Sequence, residues 1–174
     1  MSVPGAKILL AVSGPKVWVK VVGKASFSVS VDLKTALQSL VQRGHTEFIF
    51  DLSECPLMDS TFMGVMAGFG MERAAGAFPC LVKLVNPAPR VADLLESLGV
   101  AHLFTLVRGE AVPPAPGPLL EASSAAASKT EVSKTCLEAH EILMSLNPAN
   151  VAKFKDVAQF LAEDIRRMES EKNP

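Results

Sequence analysis

The sequence predicts an α/β fold: a mixed, mainly parallel sheet of four to five strands with helices, followed by a C-terminal helical hairpin. Three observations carry this. Short strand-like runs alternate with stretches of helical period across the first 110 residues. The first two runs are separated by only four residues around Gly14-Pro15, close enough for an antiparallel hairpin, whereas later runs are separated by helix-length segments that imply parallel crossovers. Beyond a Pro-rich break, the chain carries an apolar stripe at helical spacing.

Lys7–Val12 (KILLAV) and Val17–Val22 (VWVKVV) are the first strands, and Gly23 ends the second. Ser28 or Ser30 suits the cap of a helix in which Leu33, Leu37, Leu40 and Val41 share one face, with Gly44 at its end. Glu47–Leu52 (EFIFDL) has consecutive Phe48, Ile49 and Phe50, so both faces are apolar, as in an interior strand. Then comes LMDSTFMG (Leu57–Gly64), where a strand hands over to a helix carrying Phe62, Val65, Met66 and Phe69. Gly64 and Gly68, four apart on that helix, suit close packing against the sheet. Cys80–Val85 (CLVKLV) is a fourth strand. Asn86-Pro87 reads as N-cap and first residue of a helix with Val91, Leu94, Leu95 and Leu98, stopped by Gly99. His102–Val107 is a last short strand.

Residues 1–110 therefore form one domain and residues 111–130 a Pro/Ala/Ser-rich linker, extended near its prolines and flexible after them. Residues 131–174 form an amphipathic helical hairpin broken at Asn147-Pro148. Its second helix carries Val151, Phe154, Val157, Ala158, Leu161, Ile165 and Met168. Two helices alone cannot bury both faces, so the hairpin docks on the main domain, on a partner, or on a second copy through residues 131–174.

Composition excludes several function classes. With 17 basic and 18 acidic residues interspersed, no basic stripe exists for nucleic acid or for an anionic membrane. No apolar run approaches the roughly 20 residues of a membrane helix. Cys55, Cys80 and Cys136 are odd in number and scattered, as expected for reduced thiols of a cytoplasmic protein. His45, His102 and His140 lack ligand-spaced companions, so neither a metal nor a cofactor is expected. No phosphate loop, dinucleotide fingerprint or nucleophile elbow is present. Asp51 and Asp59 are the one candidate acid/base pair, but a strand end and a helix start account for each, so no catalytic residue is assigned.

Asp59 or Ser60 suits the role of N-cap. The same residues carry a resemblance. Asp51-Leu52-Ser53, then Met58-Asp59-Ser60-Thr61-Phe62-Met63-Gly64, and in a second block Asn86-Pro87, Arg90-Val91 and Leu98-Gly99-Val100, resemble a STAS domain of the anti-sigma factor antagonist type over about Lys7–Val107. The resemblance implies a non-enzymatic partner-switching protein. By position, Ser60 is the phosphoacceptor of an anti-sigma serine kinase, a Ser/Thr phosphatase resets it, and Met58, Asp59, Thr61, Phe62 and Ser26 contact the partner. Two departures stand out. Phe62 replaces a glycine common in relatives, and Gly23-Lys24-Ala25-Ser26 replaces an acidic Gly-Glu-Leu-Asp. The alternative is a non-phosphorylated scaffold acting through the hairpin, by Val151, Phe154, Leu161 and Ile165.

Overall fold

The sheet has six strands in the order β5-β4-β3-β2-β1-β6. They are β1 (Lys7–Ser13), β2 (Lys16–Val22), β3 (Glu47–Glu54), β4 (Val82–Val85), β5 (Phe104–Val107) and β6 (Leu120–Glu121). The computed structural model describes residues 5–76, 82–109, 114–122 and 126–173. Cys80 and Leu81, which open the expected fourth strand, lie outside them. The β1–β2 hairpin is antiparallel, with Ser13 opposite Lys16 across the turn, and Gly14 supplies its positive φ of 56°. β2, β3, β4 and β5 pair in parallel, as crossover connections require.

The helices are α1 (Phe27–Gln42), α2 (Ser60–Ala75), α3 (Pro89–Ser97), α4 (Lys129–Leu146) and α5 (Ala149–Lys172). Period-two alternation sorts the strand side chains between two faces. Val17, Val19, Val21, Phe48, Phe50 and Leu52 point into the main core, under Leu33 and Leu37 of α1, Phe62 and Met66 of α2, and Val91 and Leu95 of α3. Phe69 seals it edge-to-face against Phe48, with ring centroids 4.8 Å apart. Ala11, Trp18, Ile49 and Val85 form a smaller cluster on the other face. Thus β3 is interior and apolar on both sides, yet helices cover only one of them.

The other face is met by the expected linker. Ala115 and Leu119 pack on the Trp18 cluster, and Leu120 and Glu121 pair with Leu10 and Leu9. The segment 114–122 is therefore a strap across the sheet rather than a free tether. A two-residue strand within a Pro-rich stretch has no periodicity to announce it.

Three caps differ from expectation. Ser26, not Ser28 or Ser30, caps α1: its hydroxyl accepts from Ser28 N–H, and its carbonyl accepts from Ser30 Oγ at 3.0 Å. Asn86 adopts a left-handed φ of 47°, and its side chain accepts from Gly109 N–H at 3.1 Å, so α3 starts later, at Pro89. The hairpin's first helix starts earlier than Glu131. Ser128 Oγ accepts from Glu131 N–H, and Glu131 accepts from Ser128 N–H, a reciprocal capping box.

The hairpin docks on the main domain. α4 lies across α1 and α2, with Thr135, Ala139, His140 and Leu143 buried. Gly64 and Gly68 face this helix rather than the sheet. A Cβ on Gly64 would sit 2.5 Å from the Ala139 carbonyl oxygen, and one on Gly68 would sit 2.8 Å from Ile142 Cδ1. The hairpin's turn is fastened to the end of α3. Asn150, fully buried, donates to the carbonyls of Leu98 at 2.9 Å and Leu143 at 2.8 Å, and Lys153 donates to Ser97 O at 3.0 Å. These donors satisfy the last carbonyls of α3 and add a second bond to Leu143 O, which also accepts from Asn147 N–H.

Candidate functional site

The site is built where two loops meet. After β2, Ala25 bridges to Met58 in the loop after β3; Ala25 N–H donates to Leu57 O, and Asp59 N–H donates to Ala25 O. This zipper brings the starts of α1 and α2 side by side. Asp59 then caps both. Its Oδ1 accepts from Phe62 N–H at 2.8 Å, and its Oδ2 accepts from Phe27 N–H at 2.7 Å. One carboxylate thus answers free donors of two helices, where their positive dipole ends coincide.

Ser60 is the first residue of α2. It is half-buried, not a protruding hydroxyl, because α4 covers this helix start. Ser60 Oγ lies 2.9 Å from His140 Nε2, and His140 Nδ1 lies 2.6 Å from Cys136 O. A carbonyl only accepts, so Nδ1 carries a proton. In the neutral ring Nε2 is then the acceptor, and the Ser60 hydroxyl donates to it. His140 is 5% exposed and is wedged against Phe154, with ring centroids 5.0 Å apart. Next to it, Cys136 is hydrogen-bonded to Thr61. Burial pushes the Cys136 thiol up, against the Thr61 bond that favours its thiolate.

The residues assigned to this surface divide into two groups. Ser26, Met58 and Asp59 are half-buried around the rim. Thr61 and Phe62 are inside, 5% and 0% exposed, so neither side chain meets solvent while α4 is docked. Phe62 occupies main-core volume, which accounts for a large side chain at this position. Asp51 is engaged locally: its Oδ1 accepts from the Ser53 hydroxyl at 2.6 Å and from Ser53 N–H at 3.0 Å. Asp51 and Asp59 therefore have separate structural tasks.

Sequence reasoning missed His140. It sits on a face of α4 made of Thr135, Ala139 and Leu143, too small and polar to register as an apolar stripe. His45 holds a turn, bonded through Nδ1 to Gly14 O at 2.9 Å. Among the described residues, no group of three His, Cys, Asp or Glu side chains is placed to hold a metal ion. Cys55 and Cys136 are free thiols, and Cys80 lies outside the described residues. No described helix is long and apolar enough to cross a membrane.

No curated protein matches the chain. Among solved structures, the anti-sigma factor antagonist SpoIIAA in its unphosphorylated form aligns with a TM-score of 0.51 at 18% identity, over 60% of this chain and 89% of that one. A Thermotoga maritima protein described as an anti-sigma factor antagonist aligns with a TM-score of 0.50 at 14% identity, over 59% of this chain and 86% of that one. At these identities the likeness is one of fold. The family described as Mlab, STAS domain matches residues 8–108, which hold the whole α1–α2 start and stop short of α4 and α5. By that match over more than half its length, the chain belongs to the STAS domain family.

Proposed function

We propose that this chain is a regulatory partner-switching protein that resembles an anti-sigma factor antagonist and has no catalytic role of its own. Unmodified, it binds an anti-sigma serine kinase in the cytoplasm; phosphorylated at Ser60, it lets go; a Ser/Thr phosphatase restores it. The kinase moves the γ-phosphoryl of ATP onto Ser60 Oγ. The bond to the β-phosphate oxygen breaks, ADP leaves, and the hydroxyl proton passes to the kinase's base. The observation that carries this reading is the position of Ser60, first in α2 and directly behind the Asp59 cap that joins two helix starts. A helix N-terminus tolerates added negative charge, whereas a protein surface pressed on it meets a dianion beside Asp59. That repulsion weakens association without melting the fold. Ser26, Met58 and Asp59 form the rim a partner reaches first, with Thr61 and Phe62 behind it.

The test compares full-length protein carrying Ser60, Ser60→Ala or Ser60→Asp for association with a kinase from the native cell. Ser60→Asp is expected to fold normally and lose the kinase, with Ser60→Ala retaining it. Equal binding by Ser60→Asp and wild type would refute the reading.

A second reading is favoured by one feature of α5. Val157 is 43% and Phe160 67% exposed, on the outer side of a docked hairpin. In that reading the chain is a scaffold that engages its partner, or a second copy, through the hairpin. Phe154, Leu161 and Ile165, expected to make that contact together with Val151, are half-buried or buried in the docked hairpin, so the outer contact falls to Val151, Val157 and Phe160. Partner loss on Phe160→Asp with Ser60 variants silent would select it.

A further inference from the structure

The α4–α5 hairpin lies outside the matched STAS residues, yet it occupies the ground where a partner of that domain would press on Ser60. We propose that the hairpin is an intramolecular competitor: docked, it covers Ser60 and the adjoining face of α1 and α2, and a phosphoryl group on Ser60 expels it. The trigger rests on the reading of Ser60 as phosphoacceptor; the cover itself does not.

Four observations carry the proposal. First, the contact is tight at Gly64. The Ala139 backbone lies so close to α2 that even a methyl on Gly64 would enter its van der Waals radius, whereas Gly68 meets only the movable tip of the Ile142 side chain. Second, Ser60 is tied into the contact by its own proton when the His140 ring is neutral. Replacing that proton with a phosphoryl group removes the donor and sets phosphate oxygens against the His140 Nε2 lone pair. Third, His140 has no room to withdraw, since Phe154 of α5 backs it and Cys136 O holds its other nitrogen. Fourth, the added group carries about −1.5 to −2 charges into a contact that already holds the Asp59 carboxylate. The remaining ties lie away from Ser60, and the largest is Leu143 of α4, buried in the main core, which expulsion has to expose. Glu138 pairs with Lys34 of α1 at the half-exposed rim, and the hairpin's turn is held by Asn150 and Lys153 at α3.

The unmodified protein therefore meets the kinase only when the hairpin lifts, and docking lowers the kinase's apparent affinity by the fraction of molecules that are open. Phosphorylation then proceeds from the opened form, and the phosphate keeps it open. This gives the protein two discrete arrangements of one element, biased by one local charge.

Two of the protein's own thiols report the equilibrium. Cys136, half-buried on α4, faces Thr61 of α2, whereas Cys55 is 1% exposed in the main core. N-ethylmaleimide labelling of the full chain, resolved by peptide mass spectrometry, compares wild type, Ser60→Glu and Gly64→Ala. Gly64→Ala adds only the methyl that strikes Ala139, while raising the intrinsic helix propensity of α2. Cys136 labelling is expected to accelerate by about tenfold or more in both variants, with Cys55 unchanged, as for local opening. Unchanged Cys136 labelling would overturn the proposal. So would slower labelling in Ser60→Glu, which would mean that His140 clamps the anion, or Cys55 accelerating in step with Cys136. If Cys136 opens as expected but no phosphate is found on Ser60 in cells, the cover stands and only the phosphoacceptor reading fails.

Discussion

The two helices of the hairpin have opposite fates. α5 carries the stronger apolar stripe in sequence, and yet Val151, Val157 and Phe160 stay exposed on it. α4 buries Thr130, Thr135, Ala139 and His140 along with the single large aliphatic residue Leu143. The difference teaches that docking here is decided by shape. Gly64 and Gly68 let the α4 backbone come close to α2, and small side chains on α4 keep it there. Close approach multiplies dispersion contacts that a bulkier stripe held at a greater distance would forfeit.

The comparison can be broken most severely at Leu143, fully buried in the main core. Leu143→Ala is expected to cost about 2–5 kcal/mol in a denaturant titration, since it removes buried methyls and leaves a cavity. A loss near zero would mean that α4 is an ornament on an independent core. The smallest effect belongs to α5. Phe160→Ala removes a side chain that is 67% exposed and should stay within about 0.5 kcal/mol of wild type. A larger loss would show that Phe160 is covered in solution by another copy, and its dependence on protein concentration would prove it.

Much of the fold was legible. The β1–β2 hairpin, the parallel succession of β3, β4 and β5, and the helical hairpin follow from run lengths, Gly/Pro punctuation and periodicity. Gly44 and Gly99 end α1 and α3 with positive φ values of 92° and 70°. The Ser128–Glu131 capping box marks the true start of α4, inside the residues expected to be linker, although its S-x-x-E spacing stands in the sequence. What could not be read was tertiary. Gly64 and Gly68 announce close approach but not its partner, which is Ala139 and Ile142 rather than a strand. Nothing local joins Ser60 to His140, 80 positions away. Leu120 and Glu121 form a strand only because the edge of β1 is free to receive them.

In the candidate site, Asp59 and Ser60 were visible as a decorated helix start, and the structure adds a second task for Asp59. Its carboxylate also caps α1, so the two loops form one rigid rim. Ser26 takes the cap of α1. Lys24 beside it is exposed, so its charge belongs to the surface and not to the cap.

The central claim is that Ser60 is a modified residue whose state sets what contacts this helix start. Phosphopeptide mass spectrometry on the protein isolated from its native cell tests it most directly. The account predicts a phosphoryl group on Ser60 in a fraction of the molecules, with the kinase recovered only with the unmodified fraction. Ser60 unmodified under every growth condition, with the phosphate absent or confined to other residues, would contradict it.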